Sequence, residues 1–343
     1  MRFMSLIALA LALAGCNPFA ADRQVSTFKG KTMGTTYQVK AINLPDTVTQ
    51  AELHTAIEAS LKQVNNNLSN WHKTSEVSSF NASPSTSWTP VSDDFKIVMK
   101  EAFRIHNESN GRFDVTLAPL INLWGFGPKK QTDLPDDAQV RQALLKVGMT
   151  RLLEFEANPP RLRKQASDVS VNLSAIAKGF GVDRIARTLR DHGINEYLVE
   201  IGGDMVARGR NGEDELWQVG IETPDAISRS IQLIVPVSDF GLATSGDYRN
   251  FVMKDGKRYS HILDPVTGKP VTHELASVTV LAENAMRADG LATAILVLGT
   301  QNGMELANRL MLPVFFIIRS ENGFIEKRSV AFQTLMLQHA NGQ

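Results

Sequence analysis

Asp289 and Thr293 lie four residues apart in the stretch NAMRADGLATAILVLG, residues 284–299. That spacing stacks a carboxylate and a hydroxyl one turn apart on a helix with little other polar surface. Two hard oxygen donors so placed suit Mg²⁺ or Ca²⁺, and Mg²⁺ is usually held by only one or two carboxylates, with phosphates and water completing its shell. The competing reading is a buried ion pair with an Arg or Lys from another segment, because a bare interior carboxylate is costly. Arg287 is not that partner. Two positions away, it faces about 200° around the helix.

Other stretches carry groups suited to phosphate. In VNLSAIAKGFGVDRIARTLRDHG a strand passes into a helix through small residues, with Lys178 at the transition; a helix N-terminus bearing a lysine attracts phosphate. GLATSGDYRNF reads as a strand followed by a turn holding Thr244, Ser245 and Gly246, with Arg249 nearby. Hydroxyls, backbone N–H groups and one arginine fit a pyrophosphate. YSHILDPVTGKPV puts His261 and Asp264 on a strand before a turn. His261 is open both to a general-base role and to the commoner structural one. His54, His72, His106, His192, His273 and His339 show no metal-ligand spacing, which argues against zinc. EIGGDMVARG reads as a tight turn between strands rather than a dinucleotide fingerprint, since no helix follows Gly202-Gly203. Trp71 in LSNWHKTSEVSSFN and Trp124 in GRFDVTLAPLINLWGFGP stand among loop residues, where a flat face stacks on a planar ligand or fills a core or lid. Gly111-Arg112-Phe113 precedes Asp114 at a helix-to-strand transition. Together these features point to a large, planar, phosphorylated ligand.

The elements that must hold these groups are legible in periodicity. Asn284 is a good N-cap and Gly299 a good stop for the Asp289 helix. Apolar spacing predicts helices over 51–68, 93–108, 136–147 and 175–192. TTYQVKAI, YLVEI, WQVGIE, SIQLIVPVS, SVTVLAE and PVFFIIR are strand-like, and Asp255-Gly256 and Asn322-Gly323 are placed as hairpin turns. Hairpins mean antiparallel pairing, so an α+β architecture is expected, with largely antiparallel sheets and covering helices in two packed lobes.

Arg2, the apolar run from Leu6 to Ala14 and the end LAGC form a secretory signal too short to span a bilayer as a permanent helix. Cys16 is the only cysteine and stands where a lipobox places the acylated residue. Residues 1–15 are thus expected to be a lipoprotein signal peptide, 16–27 a lipidated tether and 28–343 the folded domain. The expected location is the periplasmic side of a bacterial cell envelope, anchored by lipid to the inner membrane. With Cys16 acylated no thiol remains, so disulfides and cysteine catalysis are excluded. The 36 basic residues balance the 36 acidic ones, and this removes the electrostatic basis for binding nucleic acid.

In order, the motifs GKTMGTTY, FDVTLAPLINLWGFGP, VNLSAIAKG, EIGGDMVARG, ATSGDYRNF, SHILDPVTGKP and RADGLATA resemble those of the ApbE-like FAD:protein FMN transferases, from about residue 28 to the C-terminal region. The resemblance implies a T-fold-like arrangement of mixed α/β lobes with FAD between them. It further implies Mg²⁺-dependent cleavage of the FAD pyrophosphate, transfer of FMN to a threonine or serine of an acceptor flavoprotein of membrane redox complexes, and release of AMP. By resemblance, Asp289, Thr293 and the carbonyl of Ala175 are magnesium ligands. FAD contacts fall on Met33, Trp71, Gly111, Arg112, Phe113, Asn172, Lys178 and Leu263, with Thr244 and Ser245 steadying the phosphates. His261 activates the acceptor hydroxyl. Asn172 and Lys178 depart from commoner forms of the motif, aspartate and glutamate respectively, which changes the charge met by the flavin. Two other activities suit the same residues: an FAD pyrophosphatase using water, and a non-catalytic flavin-binding lipoprotein.

Overall fold

The structure, a computed structural model, describes residues 23–127, 133–225, 230–248, 251–254 and 256–340. The expected signal peptide, Cys16, most of the tether, Arg249 and Asp255 lie outside the described residues.

Eight strands form one sheet and lie in it in chain order: Val25–Thr32, Thr35–Ile42, Tyr197–Ile201, Asp204–Arg208, Phe240–Gly246, Leu275–Ala282, Val314–Ser320 and Gly323–Arg328. Every neighbouring pair is antiparallel. Alternation along each strand sends side chains to two different cores. Tyr37, Val39 and Ala41 meet Ile57 and Leu61 of the helix Gln50–Leu68 and Ile185 of the helix Ala177–Asp191. On the other face Leu242, Leu281, Phe315 and Ile317 meet Trp217 and Val235 of a separate hairpin and Phe332 of the C-terminal helix. Leu275–Ala282 is buried at all eight positions because both its faces are covered.

Between the second and third strands of the sheet the chain builds a second lobe. It holds the helices Gln50–Leu68, Glu76–Ala82 and Asp93–Glu108 and a small sheet of Thr89–Pro90, Leu153–Ala157 and Pro160–Lys164. Its core runs without a break into the main lobe, since Phe95, Ile105 and Phe113 cluster with Leu291, Ile295 and Val278. The α+β expectation holds.

The helix predicted over 93–108 is found at Asp93–Glu108, where Ser92 caps Phe95 N–H at 3.3 Å. That predicted over 136–147 is shorter, Asp137–Leu144, with Gly148 at φ 127° closing the segment. The Asp289 helix starts as expected, Asn284 Oδ1 accepting Arg287 N–H at 2.8 Å. Gly299, at φ 76°, breaks it, but helix resumes to Arg309, which the apolar pattern did not foretell. A side chain at Gly299 would also strike the His273 ring, 2.8 Å from an ideal Cβ. No helix among the described residues is long and apolar enough to cross a membrane.

Candidate active site

Two helices cross at the centre of the molecule, and their contact explains much of the local sequence. The helix Ala177–Asp191 passes so close to the Asp289 helix that a Cβ on Gly179 would lie 2.3 Å from the Ala285 carbonyl oxygen. At this crossing the helices exchange carboxylates. Asp289 Oδ2 accepts the Gly179 N–H at 3.0 Å, and Asp183 takes the N–H groups of Ala285 and Met286, each at 2.9 Å. Each acid therefore sits at the N-terminus of the other helix, where the macrodipole favours an anion.

Burial pushes the Asp183 carboxyl up to about 7, against the pull of those two N–H groups. The folded chain thus holds a proton that the unfolded chain releases above about 3.8. The resulting contribution to stability is complete below that value and is lost as pH rises through 7. Asp183→Asn is expected to flatten this part of the stability–pH curve. Asp183→Ala orphans two helix N–H groups and should cost about 1–2 kcal/mol, lowering the melting temperature by roughly 2–5 °C. Circular-dichroism melts between pH 4 and 8 check both; a steeper slope in the Asn variant would contradict the assignment.

Arg287 faces away from Asp289, as its spacing required. Its guanidinium binds Glu101 at 2.7 Å and Glu108 at 3.0 Å on the helix Asp93–Glu108. Lys178 is the cation whose charge acts on Asp289, and it is shared. Its ammonium pairs with Asp204, a carboxylate only 1% exposed. Burial pulls the Lys178 pKa down, but Asp204 and Asp289 outweigh this and the net shift is upward. Burial and the nearby Asp289 push Asp204 well above the usual carboxylate range, with Lys178 opposing them. Two carboxylates thus share one ammonium and one N–H. A divalent cation beside Asp289 would offset the repulsion between the two carboxylates and keep Asp204 ionised.

Ser245 Oγ lies 3.4 Å from Thr293 Oγ1, adding another hard oxygen. Among the described residues no group of three or more His, Cys, Asp or Glu is placed to hold a metal. An ion here would rest on one carboxylate, a hydroxyl and a carbonyl, the sparse set that leaves coordination positions for phosphate.

These groups open into a cavity of about 310 Å³ between the lobes. Of the residues singled out in the sequence, Arg112, Phe113, Asn172, Ala175, Lys178, Thr244, Ser245, His261, Leu263, Asp289 and Thr293 line it. A second cavity of about 190 Å³ shares Ser174 and Lys178 with the first and is lined by Met33 and Trp71. Trp71 is 69% exposed, so its ring is available to a ligand. Gly111 lines neither cavity: at φ 81° it turns the chain, and its N–H binds the His106 carbonyl at 2.8 Å.

Several details differ from the sequence reading. Thr244 and Ser245 belong to a strand, not a turn, and so point to opposite faces. Ser245 meets Thr293, while the Thr244 hydroxyl bonds Thr279 at 2.8 Å. His261 lies just beyond the strand Lys257–Ser260, with the Phe126 ring edge-on at 6.3 Å. The segment before Ala175 is no strand; two asparagine side chains take the place of a neighbour. Asn70 and Asn81 both donate to the Val171 carbonyl, at 2.7 and 2.8 Å, and accept the N–H groups of Leu173 and Val171. Trp124 stacks on Tyr259 and donates to the Gly268 carbonyl at 2.8 Å, bracing the turn after His261. Arg112 is ion-paired with Asp264 at 2.6 Å, which ties the second lobe to that turn.

Asp183, Asp204, Asn70 and Asn81 had no role in the sequence reading. The signal for Asp204 was present: an acid opening a strand directly after Gly202 and Gly203, both at positive φ. Gly202 is also where Lys178 passes, its Cδ lying 3.4 Å from an ideal Cβ.

Comparison with known proteins supplies the remaining finding. The family model described as the ApbE family matches residues 33–316. The FAD:protein FMN transferase of Haemophilus influenzae is 42% identical over 337 residues, 96% of each chain. Among solved structures, the flavin transferase ApbE from Vibrio cholerae superposes with a TM-score of 0.84 at 40% identity, covering 91% of this chain and 99% of that one. The flavinyl transferase ApbE of Pseudomonas stutzeri, in apo form, gives 0.83 at 37% identity, covering 92% and 98%.

Proposed function

This chain belongs to the ApbE family, and we infer that it is an FAD:protein FMN transferase, moving FMN from FAD to a side-chain hydroxyl of an acceptor flavoprotein and releasing AMP. The observation that carries the site assignment is the meeting, in one cavity, of Asp289, Thr293 and Ala175 with Lys178, Ser245 and His261.

Mg²⁺ is the ion proposed, held by Asp289, Thr293 and the Ala175 carbonyl; when bound it supplies the positive charge that makes an anionic phosphorus open to attack. The chain's own groups do the rest. The Lys178 ammonium, kept charged by Asp204 and Asp289, and the Ser245 hydroxyl steady the pyrophosphate. Asn172 and Leu263 on one side and Met33 and Trp71 on the other flank the two ends of a dinucleotide spread over both cavities. His261 takes the proton of the acceptor hydroxyl. That oxygen bonds to the phosphorus of the FMN half while the bond to the bridging oxygen breaks, and the oxygen leaves with AMP. We place the enzyme on the periplasmic side of the inner membrane, with an acyl chain on Cys16 and a short tether. That position serves membrane redox subunits as acceptors.

The test uses membranes from cells lacking this enzyme, incubated with purified enzyme, FAD and MgCl₂. A fluorescent FMN–protein band that survives denaturation, with its adduct located on Thr or Ser by mass spectrometry, is expected. Free FMN and AMP without an adduct would mean that water is the acceptor, and bound FAD without AMP would mean a carrier protein.

A further inference from the structure

A protein acceptor must bring its hydroxyl to His261, and the chain just before His261 is an exposed hairpin. It consists of Phe251–Lys254 and Lys257–Ser260, paired only with each other among the described residues. Phe251, Val252 and Met253 are 38%, 37% and 57% exposed, the longest unbroken run of exposed large apolar residues among those described. Such a run on an edge strand invites pairing with another chain, and natural edges are usually blunted.

The hairpin is nonetheless well fixed to the site. Tyr259, cross-strand from Val252, stacks on Trp124 at 5.9 Å between centroids. Arg258 lies over the Phe251 ring at 4.6 Å and binds the buried Asp247 at 2.9 Å. The hairpin is therefore braced by Trp124 and Asp247, and His261 of the cavity wall follows it directly in the chain. Its direction also matters: Phe251 pairs with Ser260, next to His261, while Lys254 and Lys257 lie toward the tip.

We propose that this hairpin is the acceptor-docking surface: an extended segment of the acceptor lies along Met253–Phe251 as an added strand and carries its Thr or Ser onward to His261. Main-chain pairing of this kind gives affinity, and apolar side chains on alternate faces give selectivity. At about 3.3 Å per residue, the target hydroxyl falls roughly one to three residues beyond the docked part. The inference rests on the transferase reading, since only a protein acceptor needs such a surface.

Val252→Ser/Met253→Ser tests it, with the acceptor isolated from the fluorescent band above as probe. Expected is an acceptor KM raised about tenfold, with kcat at saturating acceptor within about twofold and FAD affinity and melting temperature unchanged. Met253→Leu should behave as wild type. Hydrogen exchange on the wild type should show added protection over 251–254 when acceptor is present. An unchanged acceptor KM, or a fall in kcat with KM unchanged, overturns the proposal. So does loss of binding to phosphatidylglycerol vesicles in the double variant with acceptor KM intact, which would make the hairpin a membrane contact. A wild-type enzyme that labels no acceptor removes the transferase reading itself, a result distinct from all of these.

Discussion

Asp289→Asn is expected to reduce FMN transfer by about a thousandfold or more, equivalent to ~4 kcal/mol of transition-state stabilisation, while the chain still folds. The amide is the same size as the carboxylate, and its oxygen can still accept the Gly179 N–H that Asp289 Oδ2 accepts now. The helix crossing is therefore kept and only the charge is lost. Without that charge Lys178 and Asp204 balance each other, and no carboxylate remains one turn from Thr293 on this helix to draw a divalent ion. A wild-type enzyme stripped with EDTA should lose transfer to the same extent and regain it with MgCl₂, whereas the variant should not respond to added Mg²⁺. Melting curves separate this outcome from unfolding. Transfer within tenfold of wild type in the variant, or full turnover of wild type in EDTA, would falsify the metal assignment.

Asp289 stands out in sequence because a carboxylate in an apolar run violates the rule for interiors, and the violation is local. Its neighbours at i+4 and i−2 follow from helical geometry, so the face shared with Thr293 and the different face of Arg287 are both legible. The same holds for the capped helix Asp93–Glu108 and for the Gly202-Gly203 hairpin, whose signals lie within a few residues. What stayed hidden depends on segments far apart in the chain. Asp183 and Gly179 make sense only once the two helices cross, 102 and 110 residues from their partners. Asn70 and Asn81 act as a substitute strand for residues about a hundred positions later, and no periodicity announces that. The local sequence Thr244-Ser245-Gly246 favours a turn. The pairing of Gly246 with Ser277 overrides that preference and sends the two hydroxyls to opposite faces. Ordered motifs carry the family, but the Lys178–Asp204 pair joins the start of one helix to the start of a later strand, and no local pattern marks it.

His261→Ala should lower kcat for transfer by about 10²–10⁴-fold, the usual worth of a positioned proton acceptor, with KM for FAD changed less than about threefold. The KM expectation follows from position: His261 sits on the loop after the hairpin, and of the groups proposed to hold the dinucleotide only Leu263 shares that loop, whereas Lys178, Ser245, Asn172, Met33 and Trp71 come from other segments. A purely structural histidine must be distinguished, because the Phe126 ring packs edge-on against it. His261→Phe keeps an aromatic ring against Phe126 and removes the basic nitrogen, so a packing role predicts near wild-type transfer and a base predicts the same loss as alanine. Added imidazole gives a second discriminant. The space left by His261→Ala opens onto a cavity that admits small molecules, so imidazole should restore part of the transfer in the alanine variant and none in the phenylalanine one. Equal activity of wild type and His261→Phe would assign the proton to another group. The pattern of loss in both variants with rescue in one is what a base at this position requires.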